Sequence, residues 1–572
     1  MKKLLLFLIF CYTCSVFAAT NFLITKGASD NCGVIIGHTD DATGDPRIVY
    51  VPAKINKPGT KIPVYLDNFD YPRYVGKRAP AYNTSNTPTT PIGHIDELAS
   101  HSYAYIDSNY GIINEHQLAI GECTNLSYFT FDYETNKRIL GIAQLTRLIL
   151  EYCTKAKEAI LLIDTLTEKY GYYGDGETLL LGDTEEGWVL EISCAPDGNG
   201  AIWVAKKVPD GEIFVAANQF RIQEISTDDP NVLHSKNLFA LAEKNNWLNK
   251  DKKSFNWQRA VSPGENHHPY SSLRRIWKLF QKINPAIILS PWVEDAFTTV
   301  YPFSISPPQP LAIEDVMQLL RDHYEGTEFD LTKGLASGPY GCPTRNLDSS
   351  YARTEIPLIH KRENKQDISV KKEVINDDPT GAWERAISVS YVTYSYITQS
   401  RKDLPDPIGG KVWIGYGEPF NTCYMPCHVG IMNLPSSFYS GNPILYSKEF
   451  AGMPYRLVSN WITQCYFYAI EDVRAKQKQL EMAEISQQES IEQNALNEGA
   501  ENAKEYLTSY CQVNANYIIS QWWEFFHLLA AKYSDGFINI PKVGIKMGYP
   551  QWWKDQVGYK NGPTSYQKKP FK

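Results

Sequence analysis

The hydrophobic residues of this chain change their spacing along the sequence, from strand-like to helical and back. Short apolar or β-branched segments at 21–25, 34–37 and 47–51 are separated by turn residues, which predicts strands. Over 138–170 the apolar residues recur at helical spacing, and a break near Cys153 and Thr154 predicts two helices there.

Strand-like spacing then returns and is followed by a helical C-terminal part. Strands are predicted at 178–181, 188–193, 201–206, 213–217, 386–397 and 411–416, with a hairpin turn at 197–200. A helix is expected at 313–323, and the chain becomes helical from about 447. Helices flanking a largely antiparallel sheet predict a layered α+β fold. We expect a main domain over 19–440 and a helical extension with a tail over 441–572.

The composition of the chain indicates a globular protein. The chain has 572 residues, a formal net charge of −8, 43% hydrophobic and 21% charged residues, which is typical of a globular chain with a sizeable core. The acidic balance argues against nucleic-acid binding, which favours a basic domain. The lysines near the C-terminus indicate a solvated tail. The paired tryptophans at 522–523 and 552–553 are expected to be core or interface residues.

The first residues have the layout of a secretory signal peptide. Lys2 and Lys3 precede an apolar run at 4–10 that is shorter than the roughly 20 residues of a membrane span. Signal peptidase requires small side chains at −1 and −3, so Val16 and Ala18 predict a leader over 1–18 and a mature chain beginning at Ala19. We therefore expect a protein of the secretory pathway, secreted or held in a lysosome-like compartment, without a membrane span.

The cysteines predict no metal centre. Of the eleven, Cys11 and Cys14 lie in the leader, and the odd number that remains leaves at least one unpaired. Cys423, Cys427 and His428 are close in sequence, but no second ligand pair at zinc-site spacing accompanies them. Core cysteines or a disulfide are the expected states.

Several common catalytic signatures are absent, namely a phosphate-binding Gly-rich loop, a nucleophile elbow and a zinc helix of the HExxH type. Instead, a series of segments resembles one hydrolase family. They lie at 19–29, 38–41 (His-Thr-Asp-Asp), 103–108, 114–122, 217–221 (Ala-Asn-Gln-Phe-Arg), 314–326, 329–334, 404–410 and 532–536. In this order they are similar to the dipeptidases among the N-terminal-nucleophile cysteine hydrolases, which are related to the secernins and more distantly to bile-salt hydrolases and penicillin V acylases.

The resemblance implies a four-layer αββα sandwich that hydrolyses dipeptides or other short peptides without a metal or organic cofactor. In this family a Cys becomes the first residue after proteolytic trimming. Its thiol attacks the peptide carbonyl while its own α-amine, with a pKa of about 8, serves as general base. An oxyanion hole stabilises the tetrahedral intermediate.

The resemblance also assigns roles to individual positions. Ala19 occupies the nucleophile position, where its methyl group cannot attack a carbonyl, and Ala216 stands where the family has His. Asp41 would orient the α-amine, Asn114 would belong to the oxyanion hole, and Asn218 would line the nucleophile. The substrate-binding candidates are His38, which replaces the family's Arg, and Arg221, which could anchor a carboxylate.

Three hypotheses follow. The chain is a secreted family member that has lost catalysis and kept a peptide pocket, or it is an active hydrolase that uses Thr20 after trimming by one more residue. The third is a partner-binding protein acting through its helical C-terminal region, which exposure of the apolar residues at 522–529 would favour. If Ala19 were an engineered replacement of Cys, the natural protein would be a plain dipeptidase.

Overall fold

The computed structural model of the chain describes residues 18–41, 44–73, 90–249, 251, 253–265, 270–293, 295–345 and 383–559. The predicted leader up to Phe17 and the part of the tail after Tyr559 lie outside these residues. Among the described helices, none is long and apolar enough to cross a membrane.

The strands and helices alternate along the chain as follows. The strands are β1 (Ala18–Ile24), β2 (Val34–Asp41), β3 (Val49–Val51), β4 (Lys54–Ile55), β5 (Lys61–Val64), β6 (Gly93–Asp96), β7 (His101–Ser102), β8 (Tyr105–Asp107), β9 (Gly111–Asn114), β10 (Ala119–Asn125), β11 (Gly176–Gly182), β12 (Gly187–Cys194), β13 (Ala201–Lys207), β14 (Ile213–Ala216), β15 (Glu224–Ser226), β16 (Val232–His234), β17 (Ser254–Asn256), β18 (Ser304–Ile305), β19 (Val392–Ser400), β20 (Lys411–Tyr416), β21 (Met425–His428), β22 (Tyr533–Ser534), β23 (Phe537–Ile540) and β24 (Val543–Lys546). The helices are α1 (Ile142–Tyr152), α2 (Ala156–Tyr170), α3 (Leu238–Lys244), α4 (Trp257–Val261), α5 (Leu273–Ile283), α6 (Ile313–Leu320), α7 (Asp406–Gly409), α8 (Met453–Ile462), α9 (Tyr466–Lys532) and α10 (Gln551–Gln556).

Two large antiparallel sheets dominate the molecule. One has seven strands in the order β18-β14-β1-β2-β19-β20-β21, and the other has eight in the order β16-β13-β12-β11-β10-β9-β8-β3. In the seven-stranded sheet, β1 pairs with both β2 and β14. The start of β1 therefore lies at the same sheet edge as the ends of β2 and β14, because antiparallel neighbours run in opposite directions.

Three apolar clusters connect the sheets and helices. Successive side chains of a strand point to opposite faces of the sheet, so neighbouring residues of one strand belong to different clusters. Ala19, Leu23 and Ile36 lie in a cluster that includes residues of both sheets, whereas Phe22 and Ile24 lie in a second cluster with α5 and α6. The third cluster packs α1 and α2 on the eight-stranded sheet. Ala19 therefore lies on the face of β1 that points toward the eight-stranded sheet.

The C-terminal helices pack on the edge of the seven-stranded sheet. Gly499 has φ 77° and ψ 166° and divides α9 into two helical arms. On the first arm, Glu492 contacts Arg401 at 2.7 Å and Lys411 at 2.6 Å, which ties this arm to β20 and the residue after β19. After residue 447 the structure has the helices α8, α9 and α10, and buried residues of α8 and α9 belong to the same apolar cluster as residues of both sheets. The domain boundary at 440 stays a prediction.

Most predicted elements agree with the structure. The two helices over 138–170 are confirmed, with their break at residues 153–155, and the hairpin turn at 197–200 has Gly198 and Gly200 at positive φ. The mixed antiparallel α+β class is also confirmed, although the strands form two large sheets and not one. Helices α3, α4 and α5 in the region 228–338 were not predicted, because apolar and charged residues are interleaved there.

Candidate active site

The residues around Ala19 lie where β1 begins. Ala18 pairs with Asp41 and Ala19 with Asp40 at the end of β2. The methyl group of Ala19 faces the layer between the two sheets, and the residue is 4% exposed. Its carbonyl oxygen accepts hydrogen bonds from Arg275 Nη1 at 3.0 Å and from Cys123 Sγ at 3.5 Å. At the nucleophile position implied by the resemblance, the backbone carbonyl thus has polar partners, while the side chain lies in the apolar cluster between the sheets.

Arg275 on α5 connects the parts of this site, and the sequence did not reveal it. Its Nη1 donates to Thr20 Oγ1 at 2.9 Å as well as to Ala19, and its Nη2 donates to Asn218 Oδ1 at 2.7 Å. The side chain is fully buried, and burial together with the charge of Arg385 lowers its pKa to about 10. Arg275 holds the first residues of β1 against the loop after β14.

Asn218 lies in this loop. Its φ of 60° is in the left-handed region, which Asn adopts more readily than most residues. The side-chain amide donates to the carbonyl of Thr124 at 2.6 Å, and the backbone N–H donates to Cys123 Sγ at 2.9 Å. Arg275 and Cys123 each contact both Asn218 and the carbonyl oxygen of Ala19, so these two residues link Asn218 to Ala19.

Asp41 is buried beside two guanidinium groups. Arg385 Nη2 donates to Asp41 Oδ2 at 2.7 Å, while Oδ1 has no hydrogen-bond partner among the described residues. Burial raises the pKa of Asp41, and the charges of Arg385 and Arg275 partly reverse that effect. Asp41 is the strand partner of Ala18, the residue before Ala19.

Thr20 also belongs to this site. Its backbone N–H donates to Thr39 Oγ1 at 3.0 Å, and its hydroxyl accepts from Arg275. By strand alternation its side chain lies on the opposite face of β1 from that of Ala19.

Asn114 lies at the turn between β9 and β10. Its amide nitrogen donates to the carbonyl oxygens of Leu150 and Cys153, and its Oδ1 accepts from the N–H groups of His116 and Leu118. These bonds stabilise the turn and attach it to α1. The structure shows no contact between the Asn114 side chain and the described site residues around Ala19.

His38 and Arg221 are both enclosed by protein. His38 Nδ1 contacts Asn21 Oδ1 at 2.7 Å and its ring stacks on Tyr396, and burial lowers its pKa to about 3. Arg221 donates to the carbonyl oxygens of Val215 and Pro302 and is 2% exposed. Neither geometry offers a substrate an accessible side chain, so the roles assigned to them receive no support from their surroundings.

Comparison with known proteins agrees with the resemblance. The profile described as Peptidase family C69 matches residues 18–479, which is most of the chain. The chain belongs to peptidase family C69. The family expectation drawn from the ordered segments is confirmed.

Individual C69 relatives are distant. A probable dipeptidase of Latilactobacillus sakei is 25% identical over 426 residues, covering 72% of this chain and 73% of the relative. A probable dipeptidase of Salmonella dublin is 26% identical over 286 residues, covering 50% of this chain and 53% of the relative. Among solved structures, penicillin V acylase from Agrobacterium tumefaciens aligns with 72% of this chain and 86% of its own at 11% identity, with a TM-score of 0.28 that is too low to support an argument.

Proposed function

We propose that this C69 chain binds dipeptides or other short peptides at the Ala19 end of the seven-stranded sheet and, as it stands, does not hydrolyse them. The observation that carries the proposal is that Arg275 donates both to the Ala19 carbonyl oxygen and to Asn218, and that Asp41 is the strand partner of Ala18, beside a residue whose side chain is a methyl group. Polar groups that could hold a peptide therefore lie beside a position that supplies no nucleophile.

The position of Asp41 supports processing at the bond before Ala19. Asp41 is the strand partner of Ala18, and its Oδ1 has no partner among the described residues, so we propose that it binds the ammonium group that cleavage before Ala19 would release. With Cys at position 19, the same amine could act as general base toward the thiol. We therefore propose that the mature chain begins at Ala19 after export, in a secreted or lysosome-like setting.

The guanidinium of Arg275 fixes the start of β1 by donating to the Ala19 carbonyl oxygen at 3.0 Å in a buried environment, where electrostatic interactions are stronger than in water. We further propose that the contacts of the two sheets with each other and with their helices form the four-layer αββα sandwich of the N-terminal-nucleophile hydrolases.

A second candidate is an active hydrolase that uses Thr20. It is favoured by one observation, the hydrogen bond that the Thr20 hydroxyl already accepts from Arg275. Cleavage after Ala19 would make the Thr20 amine the general base for its own hydroxyl.

N-terminal sequencing of the exported protein, combined with saturation-transfer NMR on a set of dipeptides, tests both candidates. The proposal predicts a chain that begins at Ala19, binds dipeptides and leaves them intact over hours. A chain that begins at Thr20 and releases free amino acids would favour the second candidate. A chain that binds no dipeptide would contradict the proposal.

A further inference from the structure

Arg385 is the most accessible cation of the candidate site. Its side chain is 14% exposed, whereas that of its partner Asp41 is fully buried. Its Nε is buried and has no hydrogen-bond partner among the described residues, so this donor is unsatisfied. Its backbone is held in place by the Tyr324 hydroxyl, which donates to the Arg385 carbonyl oxygen at 2.6 Å.

Two guanidinium groups lie close to one carboxylate beside β1. Among the described residues, Arg385 forms an ion pair with Asp41, and Arg275 donates to neutral acceptors. The carboxyl of Asp40, the strand partner of Ala19, accepts from Asn109 and Thr393 instead, and an amine released at Ala19 would add a third positive charge beside the two guanidinium groups. Uncompensated buried charge is costly, so an anionic ligand group would stabilise this arrangement.

We propose that Arg385 binds a carboxylate group of the peptide ligand. A guanidinium that uses one edge for Asp41 can present its other N–H groups to a planar carboxylate, in the geometry that Arg favours. Arg385 would thus have the anchoring role that the sequence assigned to Arg221, which is enclosed by Val215 and Pro302. The ligand carboxylate comes from a free C-terminus or from an acidic side chain. This inference rests on the proposed peptide-binding function.

Calorimetric titration of the full chain tests the inference with two pairs of peptides. The first pair is Ala-Leu and its C-terminal amide, and the second is Ala-Glu-amide and Ala-Gln-amide. We expect the carboxylate member of at least one pair to bind about tenfold more tightly, and the pair that discriminates identifies the source of the carboxylate. Arg385→Gln should remove this preference and leave binding of the neutral member within about twofold.

Two further variants complete the experiment. Arg385→Lys keeps the charge but loses the planar donor geometry, and should give an intermediate preference. Arg474→Gln changes a half-exposed arginine paired with Glu471 and is the matched control, with no expected effect. This inference alone would be overturned if, in both pairs, the carboxylate peptide and its neutral counterpart bound with equal affinity. A preference for the carboxylate that remained in Arg385→Gln would also overturn it. Failure to bind any dipeptide would overturn the proposed function together with it.

A second observation is independent of this site. Cys427 on β21 and Cys511 on the second arm of α9 are both buried, and their Sγ atoms lie 2.8 Å apart. This separation is shorter than a nonbonded contact between two sulfur atoms, and the two residues belong to different elements. We propose that they form a disulfide that fastens the C-terminal helices to the sheet. With a low-molecular-weight disulfide as oxidant, the two thiols lose two electrons and two protons, and the oxidant is released as two thiols.

Refolding the full chain with reduced or oxidised glutathione tests this disulfide. We expect the oxidised protein to give a peptide joining Cys427 and Cys511 in non-reducing mass spectrometry and a melting temperature several degrees higher. The shift should vanish in Cys511→Ala and persist in Cys423→Ala, which also removes a buried thiol. Free thiols or glutathione adducts at both positions after oxidative refolding would overturn the proposal.

Discussion

At the scale of single residues, Arg275 makes the contacts that hold the candidate site together. It donates hydrogen bonds to Ala19, Thr20 and Asn218 from a fully buried position. Lysine has one point charge and cannot span these acceptors, so the substitution would leave at least one of them unsatisfied.

Arg275→Lys should therefore lower the free energy of unfolding by about 3 kcal/mol. Arg259→Lys is the matched control, because Arg259 is half-exposed and pairs with Asp295 at the surface; its effect should stay below about 0.5 kcal/mol. Urea unfolding of both variants measures the difference. Equal losses in the two variants would contradict the role given to Arg275.

Asp40 should make the stability depend on pH. Burial raises its pKa from 3.8 to about 6, despite the hydrogen bonds from Thr393 and Asn109. Because the folded state holds this proton more tightly than the unfolded state, the stabilising contribution is complete below about pH 4 and is lost as the pH rises through about 6.

Asp40→Asn mimics the protonated form and should remove this dependence. Relative to the parent chain, its free energy of unfolding should increase by about 2–3 kcal/mol between pH 4 and pH 7. Chemical denaturation at both pH values gives the double difference. If the two proteins differ in free energy of unfolding by the same amount at pH 4 and at pH 7, Asp40 is ionised at both pH values and the prediction is wrong.

The sequence identified part of this site and could not identify the rest. Asp41 and Asn218 were found because they lie in short ordered segments that resemble the family. Arg275 is separated from Ala19 by 256 positions, and nothing in its local pattern distinguishes it from a surface arginine of a helix. Arg221 and His38 had the right chemistry in the right segments, but only the packing shows that protein encloses them.

At the scale of elements, the periodicity of the apolar residues predicted those features that depend on the local sequence. The break between α1 and α2 follows from the sequence around Cys153, and the turn at 197–200 follows from its glycines. The assignment of β1, β2 and β19 to one sheet and β10 to another depends on pairings between distant segments. Such pairings leave no local signal in one sequence.

The second arm of α9 buries its aromatic face. Trp522 is fully buried and stacks on Tyr455 at 5.2 Å, and Phe525 and Leu529 are also buried, although Leu528 is exposed. Burial of this face counts against the hypothesis that it binds a partner. The helix acts as part of the core.

Trp522→Ala should therefore reduce the free energy of unfolding by about 3–5 kcal/mol. Trp552→Ala, at a 44% exposed position on α10, is the control and should cost less than about 1 kcal/mol. Thermal and urea unfolding would measure both. A small effect of Trp522→Ala would mean that the second arm is only loosely attached.

At the scale of the whole molecule, the core extends beyond the family match. The match to family C69 ends at residue 479, whereas the apolar cluster between the sheets continues through Leu507 and Trp522 to Tyr533. A chain that ends after residue 479 should therefore be insoluble or rapidly digested by protease. A chain that ends after Tyr559 should retain the melting temperature of the parent.

We propose that this chain keeps the peptide-binding part of a hydrolase site and lacks the nucleophile. The most direct measurement is the rate of dipeptide hydrolysis by the processed Ala19→Cys variant beside the chain as given, with Ala19→Cys/Asp41→Asn as the control. We expect Ala19→Cys to hydrolyse dipeptides, the double variant to be at least a hundredfold slower, and the chain as given to be inactive. Inactivity of a folded, correctly processed Ala19→Cys variant, or activity of the chain as given, would contradict it.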